Sequence, residues 1–320
     1  GFGSAIRVNH ATNTKLYLYP KDDNSAWSNL DTAGFRSWKP LYNSNSDWFK
    51  GAFNEGDDPG NSTDLGWGKY STITHQTVGD SIYILELSDG SYRKFMMDKL
   101  ASGTYTFKYA NLDGTGEKTG SVKKSDYTDQ NFGYFSILQN KALAREPESA
   151  SWDLSFAKYV EELGRGMRYG VTGIRSNAGI SVARVEGVAV AGADYNNANF
   201  SVDINTIGHD WKRFDRGNGR YIIEDSLSYF VYDQDSSIWH LAFESYGGLA
   251  TGNIGFKKEV IVEAPETGID VTASNNLSIT AFPNPVVSQL NIVSEAELEL
   301  LRVYDLNGKI RFESSAPLVK

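Results

Sequence analysis

The sequence predicts an all-β protein, and three observations carry that expectation. Aromatic residues make up 13% of the chain, with 18 Tyr and 7 Trp beside 31 Gly, a mixture suited to twisted strands joined by tight turns. Short β-branched or aromatic runs bounded by turn residues recur from end to end. Helical periodicity is scarce, and "FAKYVEELGR" (156–165) is the one short candidate for a helix.

The expected strands are, in order, "KLYLY" (15–19), "SIYILEL" (81–87), "TYTFKYA" (104–110), "YFSIL" (134–138), "WDLSF" (152–156), "ISVARV" (180–185), "SYFVYD" (228–233) and "IWHLAF" (238–243). In "WDLSF", Trp152, Leu154 and Phe156 alternate with Asp153 and Ser155. That period of two turns one face to a core and the other to water.

Parts of these runs repeat. "GWGKYSTITHQTVGDSIYILELSDGSYRKFMM" (66–97) matches "GNGRYIIEDSLSYFVYDQDSSIWHLAF" (217–243), with turns at Asp89 and Asp235, and "SGTYTFKYA" (102–110) matches "TGNIGFKKE" (251–259). Upstream, "AIRVNHATNTKLYLYP" (5–20) matches "GIRSNAGISVARVEG" (173–187), and Trp38-Lys39 is aligned with Trp211-Lys212. The expected organisation is a first copy over 1–129 that begins part-way through the repeat, a complete copy over 130–262, a polar linker at 263–277 and a small tail unit at 278–320.

Composition excludes several functions. With 31 Lys and Arg against 40 acids, the formal charge of −9 repels phosphate backbones and anionic lipid, so no nucleic-acid partner is expected. No run approaches the ~18 apolar residues of a membrane span, and without cysteine there is no disulfide or thiolate chemistry. The chain has no Gly-x-Ser-x-Gly, His-Glu-x-x-His or phosphate loop, and the expectation is a protein that is not an enzyme.

The second copy, "YFSI…REPESASWDLSFAKY…YGVTGIRSNAGISVARV…INTIGHDWKRFD…YIIEDSLSYFVYDQDSSIWHLAFESYGG…GNIGFKK", resembles the HmuY family of secreted β-rich proteins of the Bacteroidetes, and the first copy resembles an incomplete version of the same unit. The tail, "FPNP" with "LNIVSE" and "VYDLNGKI", is similar to the type A sorting domain of the type IX secretion system, a small Ig-like β-sandwich. Pro283 and Pro285 fix φ and hold Asn284 extended, while Asn307-Gly308 supplies a hairpin turn. These resemblances imply a cell-surface protein, associated with the outer membrane and recognised through its tail by outer-membrane components of that system. The partner implied is haem, a glycan or another surface protein, or the chain is a cargo held by the export machinery.

Haem is the ligand the first resemblance implies, and His209 with Met167 is the candidate axial pair; the other possible iron ligands are His10, His75, His240, Met96 and Met97. His240 and the two adjacent methionines read first as strand and core residues. The loop "NEGDDPGNSTDLG" (54–66) offers Asp57, Asp58 and Asp64 as oxygen ligands for calcium, without EF-hand spacing. Trp27, Trp38, Trp48 and Trp67 cluster in the first copy and are a candidate aromatic platform for sugars.

Overall fold

The computed structural model describes residues 4–21, 24–264, 279–282, 291–294, 300–304 and 309–314. These residues are nearly all strand and turn, with short 3-10 turns and one four-residue helix, Gly248–Thr251, so the fold is all-β. The chain divides into two compact units, Gly1–Pro265 and Glu266–Lys320.

In the first unit, one sheet holds β1 (Lys15–Leu18), β2 (Pro40–Leu41), β3 (Gly68–Ser71), β4 (Gln76–Gly79), β5 (Ile82–Glu86), β6 (Tyr92–Ala101), β7 (Thr104–Ala110) and β8 (Lys118–Lys123). All pairings are antiparallel, and tight turns join the hairpins within the sheet. The ten residues of β6 let it pair with β5 through Met96 and with β4 at Leu100 along the same edge. Then come the hairpin β9 (Tyr134–Ser136) and β10 (Lys141–Leu143), and the ribbon β11 (Leu154–Glu162) and β12 (Arg168–Ser176).

A second sheet holds β13 (Ser181–Glu186), β14 (Phe200–Ser201), β17 (Leu227–Tyr232), β18 (Ile238–Tyr246) and β19 (Ile254–Val262), in the order β14-β13-β17-β18-β19. A separate hairpin, β15 (Lys212–Asp215) with β16 (Arg220–Ile223), precedes β17.

The two sheets share one pairing scheme. Leu16 faces Leu85 as Val182 faces Val231, and Tyr83 faces Phe95 as Tyr229 faces Leu241. Phe95 faces Tyr109 as Leu241 faces Lys258, and each outer pair skips one residue at the same place, Asp98 after Met97 and Glu244 after Phe243. A bulge fixes register because the side-chain period is two. Tyr83 and Tyr229 are fully buried and donate their hydroxyls to the backbone oxygens of Gly66 and Ile207, at 3.4 and 3.3 Å.

The turns match as well: Leu87 N bonds Ser91 O at 2.9 Å, and Asp233 N bonds Ser237 O at 3.0 Å. Gly90 carries φ +80° in the first and Ser236 φ +71° in the second. A left-handed serine is strained where glycine is not. Ser236→Gly is therefore expected to stabilise the protein by ~0.5–1 kcal/mol, read as a higher urea midpoint, with Gly90→Ser moving it the other way.

Two features differ from the sequence expectation. Trp67, not Trp38, corresponds to Trp211: each stands directly before its hairpin, β3–β4 or β15–β16, and the pair are 0% and 1% exposed. The Gly-x-Gly match misled because Gly66-Trp67-Gly68 opens β3, whereas Gly217 and Gly219 lie in the turn between β15 and β16. The helical candidate 156–165 is strand β11 up to Glu162, followed by a turn with Gly164 and Gly166 at φ +90° and +74°. A lone helix of that length is marginal; pairing with β12 along the whole strand satisfies its backbone and buries Tyr159.

Each sheet carries its own core. Leu16, Leu41, Phe53, Trp67, Tyr83 and Phe95 belong to the first, and Ile174, Val182, Ile207, Trp211, Tyr229 and Leu241 to the second, each large apolar side chain contributing ~1.5–3 kcal/mol on burial. The β9–β10 hairpin closes over the first core, with Phe135 edge-on to Phe107 at 4.8 Å.

In the second unit, β20 (Ile279–Phe282) pairs with β21 (Asn291–Ser294), and β22 (Leu301–Tyr304) with β23 (Ile310–Ser314). Among the described residues these remain separate two-stranded sheets. Pro283, Asn284, Pro285, Asn307 and Gly308 lie outside the described residues, as does the linker from 265 onward.

Candidate functional site

The aligned stretches 5–20 and 173–187 place the same residue pair, an isoleucine on a core and an arginine turned away from it. Ile174 is fully buried in the second core, while its neighbour Arg175 turns to the opposite face of β12. Ile6 packs on the first core and Arg7 turns away from it. Both arginines line a cavity of about 830 Å³ bounded by the first sheet, the β9–β10 hairpin, β11 and the loop 43–50. Small-molecule sites commonly span ~300–1,000 Å³.

Arg7 shapes that loop. Its guanidinium donates to the backbone oxygens of Ser44 (3.0 Å), Asp47 (2.8 Å), Trp48 (3.1 Å) and Lys50 (3.1 Å). The loop is held on the far side by Trp48 Nε1 donating to Ser176 O at 2.8 Å. Trp48 consequently stands beside both arginines, 5.0 Å from Arg7 and 5.7 Å from Arg175.

Arg175 is 6% exposed and lies 3.8 Å over the Tyr159 ring. It donates to Asn45 Oδ1 at 2.6 Å, but its buried Nε has no partner. The nearby Glu161 is taken up by Asn45 Nδ2 at 2.9 Å and Asn205 Nδ2 at 2.7 Å. Burial pulls Arg7 down to about 9, helped by repulsion from Arg175, and burial pulls Arg175 down to about 10. Two cations are thus held in a poorly solvated space where no described carboxylate forms an ion pair with either.

His10 completes this corner. Its Nδ1 is 2.9 Å from Thr14 O and donates to it, leaving the buried Nε2 as a free acceptor. Burial holds its pKa below 6.5 against that hydrogen bond, with Arg7 and Arg175 adding to the depression. An unfolded His10 protonates as pH falls through 6.5 while the folded one stays neutral, so the unfolded state binds more protons and stability drops. The decline in urea midpoint from pH 7.5 to 5.5 is expected to be smaller in His10→Gln than in the parent protein.

The residues singled out in the sequence are dispersed. Met167 is 60% exposed in the β11–β12 turn, whereas His209 follows Gly208, which bridges Ile174 near the far end of β12; the intervening strand spans ~20 Å at 3.3 Å per residue. The structure does not bring the pair together. Asp57 pairs with Lys50 at 3.1 Å, Asp58 accepts from Gly60 N at 2.9 Å and Asp64 from Gly66 N at 2.8 Å. These are turn-stabilising roles, and among the described residues no group of three or more metal-ligating side chains is assembled.

His240 stacks on Phe230 at 4.7 Å, and Met96 and Met97 are buried in the first sheet's cores. Of the four tryptophans, Trp27 and Trp67 are core, Trp38 packs on Tyr19 at 5.2 Å and Trp48 lines the cavity, so they form no common platform. The signal for the site was present in the sequence as Ile6-Arg7 and Ile174-Arg175 in the aligned stretches 5–20 and 173–187. An arginine after an isoleucine carries no motif, so alignment alone did not mark it.

Comparison with family models, with curated proteins and with solved structures returned no match.

Proposed function

We propose that this chain is a binding protein, not an enzyme, displayed at the cell surface after export by the type IX secretion system, and that the cavity holding Arg7 and Arg175 is its ligand site. The observation that carries the binding part is the cavity itself, of small-molecule size, with an apolar wall and buried polar groups left unpaired. What supports the export part is the tail's likeness to a type A sorting domain with an Ig-like sandwich; what supports HmuY-like units is the ordered set of motifs in the second copy, together with the pairing scheme the two sheets share.

Nile red, an uncharged apolar dye, tests the cavity. One equivalent is expected to bind saturably, and Ala157→Trp, which places an indole in the cavity from β11, is expected to abolish it. Non-saturable binding, or binding untouched by that variant, counts against the cavity as the site. Haem is a second reading, favoured by one observation: His10 is among the residues lining the same cavity, and its buried Nε2 has no hydrogen-bond partner. On that reading His10, not His209 with Met167, ligates iron, and a Soret band lost in His10→Ala is its signature.

A further inference from the structure

We propose that the cavity selects an amphipathic carboxylate, with its apolar body on the sheet face and its acid group between Arg7 and Arg175. The inference rests on the reading of the cavity as the ligand site and adds the chemistry of what enters it.

The two ends of the cavity ask for different things. Leu85, Phe95 and Phe107 of the first sheet, with Phe135 from the covering hairpin, present carbon only, which suits an alkyl chain or an aromatic ring. At the other end stand Arg7 and Arg175, from positions aligned between the two repeated stretches, and Arg145, Lys124 and Lys158 also belong to the lining. Protein carbonyls and one amide oxygen occupy part of the donor capacity of Arg7 and Arg175, and Asp47, Glu161 and Asp203 offset part of the positive charge from a distance without forming an ion pair.

A buried cation without a contacting counter-ion is costly, and a ligand that brings one recovers part of that cost. Arg175 lines the cavity, is more than nine-tenths buried, donates from its guanidinium to Asn45 and holds a buried Nε–H without a partner. A carboxylate matches a guanidinium edge, and its single negative charge suits a site where Asp47, Glu161 and Asp203 already offset part of the positive charge. The neutral His10 adds no positive charge to this corner, and its Nε2 is an acceptor buried below the surface.

Displacement of Nile red separates this proposal from the reading beneath it. Dodecanoate is expected to displace the dye about tenfold more tightly than dodecanol, the difference a charge-assisted hydrogen bond supplies, and dodecyltrimethylammonium more weakly than either. In Arg175→Met, checked for a cooperative urea transition, the ratio of acid to alcohol is expected to fall towards one, and Arg175→Lys to keep part of it. Equal displacement by acid and alcohol in the parent protein overturns the proposal whether or not the variants fold. Tighter displacement by dodecyl phosphate overturns the choice of carboxylate. Absence of any saturable Nile red binding overturns the ligand site itself, and the proposal with it.

Discussion

Trp211→Ala is expected to destabilise the protein by ~3–5 kcal/mol, and Trp67→Ala by a similar amount, the usual cost of emptying a fully buried indole site. Both side chains are all but inaccessible. Trp211 lies flat against Phe243 with ring centres 4.1 Å apart, and Trp67 leans on Tyr105 at 6.1 Å while its Nε1 donates to Ser4 O at 3.1 Å. The two differ in one respect: Trp211 Nε1 is buried without a partner. Replacement by Phe should therefore cost less at 211, where no hydrogen bond is lost, than at 67, where Ser4 O loses its donor. Trp38→Ala, at a half-buried site, should cost less than Trp67→Ala. Equilibrium urea unfolding followed by circular dichroism reads all of these, and a Trp38 effect equal to that of Trp67 would speak against Trp67 as the counterpart of Trp211.

Removal of residues 278–320, with anything C-terminal to them, is expected to abolish surface delivery in a bacterium that runs the type IX system. The argument is local: "FPNP", "LNIVSE" and "VYDLNGKI" all fall within that stretch, and the stretch belongs to a compact unit separate from the two sheets. Its hairpins expose Val293 and Phe312, 52% and 50% accessible, on strands whose edges can accept further pairing. Cell fractionation and protease treatment of intact cells measure the outcome: retention inside the deletion strain supports the sorting role, and normal surface exposure refutes it.

The sheets were legible in the sequence because their signals are local. "SIYILEL" and "TYTFKYA" each contain a strand of the structure and "IWHLAF" opens one that runs on to Tyr246, and Asp89 aligned with Asp235 marks the same turn in both sheets. Register beyond the turns was partly legible, through Phe107 with Phe256 in the outer strands. The bulges at Asp98 and Glu244 were not, since a skipped residue leaves no compositional trace.

The site was harder to read. Arg7, Trp48, Tyr159 and Arg175 come from four separated segments, and only tertiary packing makes them neighbours. Alternation in "WDLSF" assigned Ser155 to the solvent face, whereas that residue lines the cavity. A polar face of a strand can look into a cavity as easily as into water, and periodicity alone does not tell the two apart. Histidine and methionine drew attention to His209 and Met167 through their chemistry, but spacing along the chain held no information about the length of the ribbon between them.

The most direct test of the central claim is a nitrogen–proton correlation spectrum of the arginine Nε–H and tryptophan Nε1–H groups during titration with dodecanoate. The account predicts that the Nε–H signal of Arg175, buried and unpartnered in the free protein, shifts to saturation together with those of Arg7 and Trp48, while Trp211 Nε1–H in the second core stays in place. Saturable shifts confined to groups outside the cavity, with Arg175 unmoved, would contradict it.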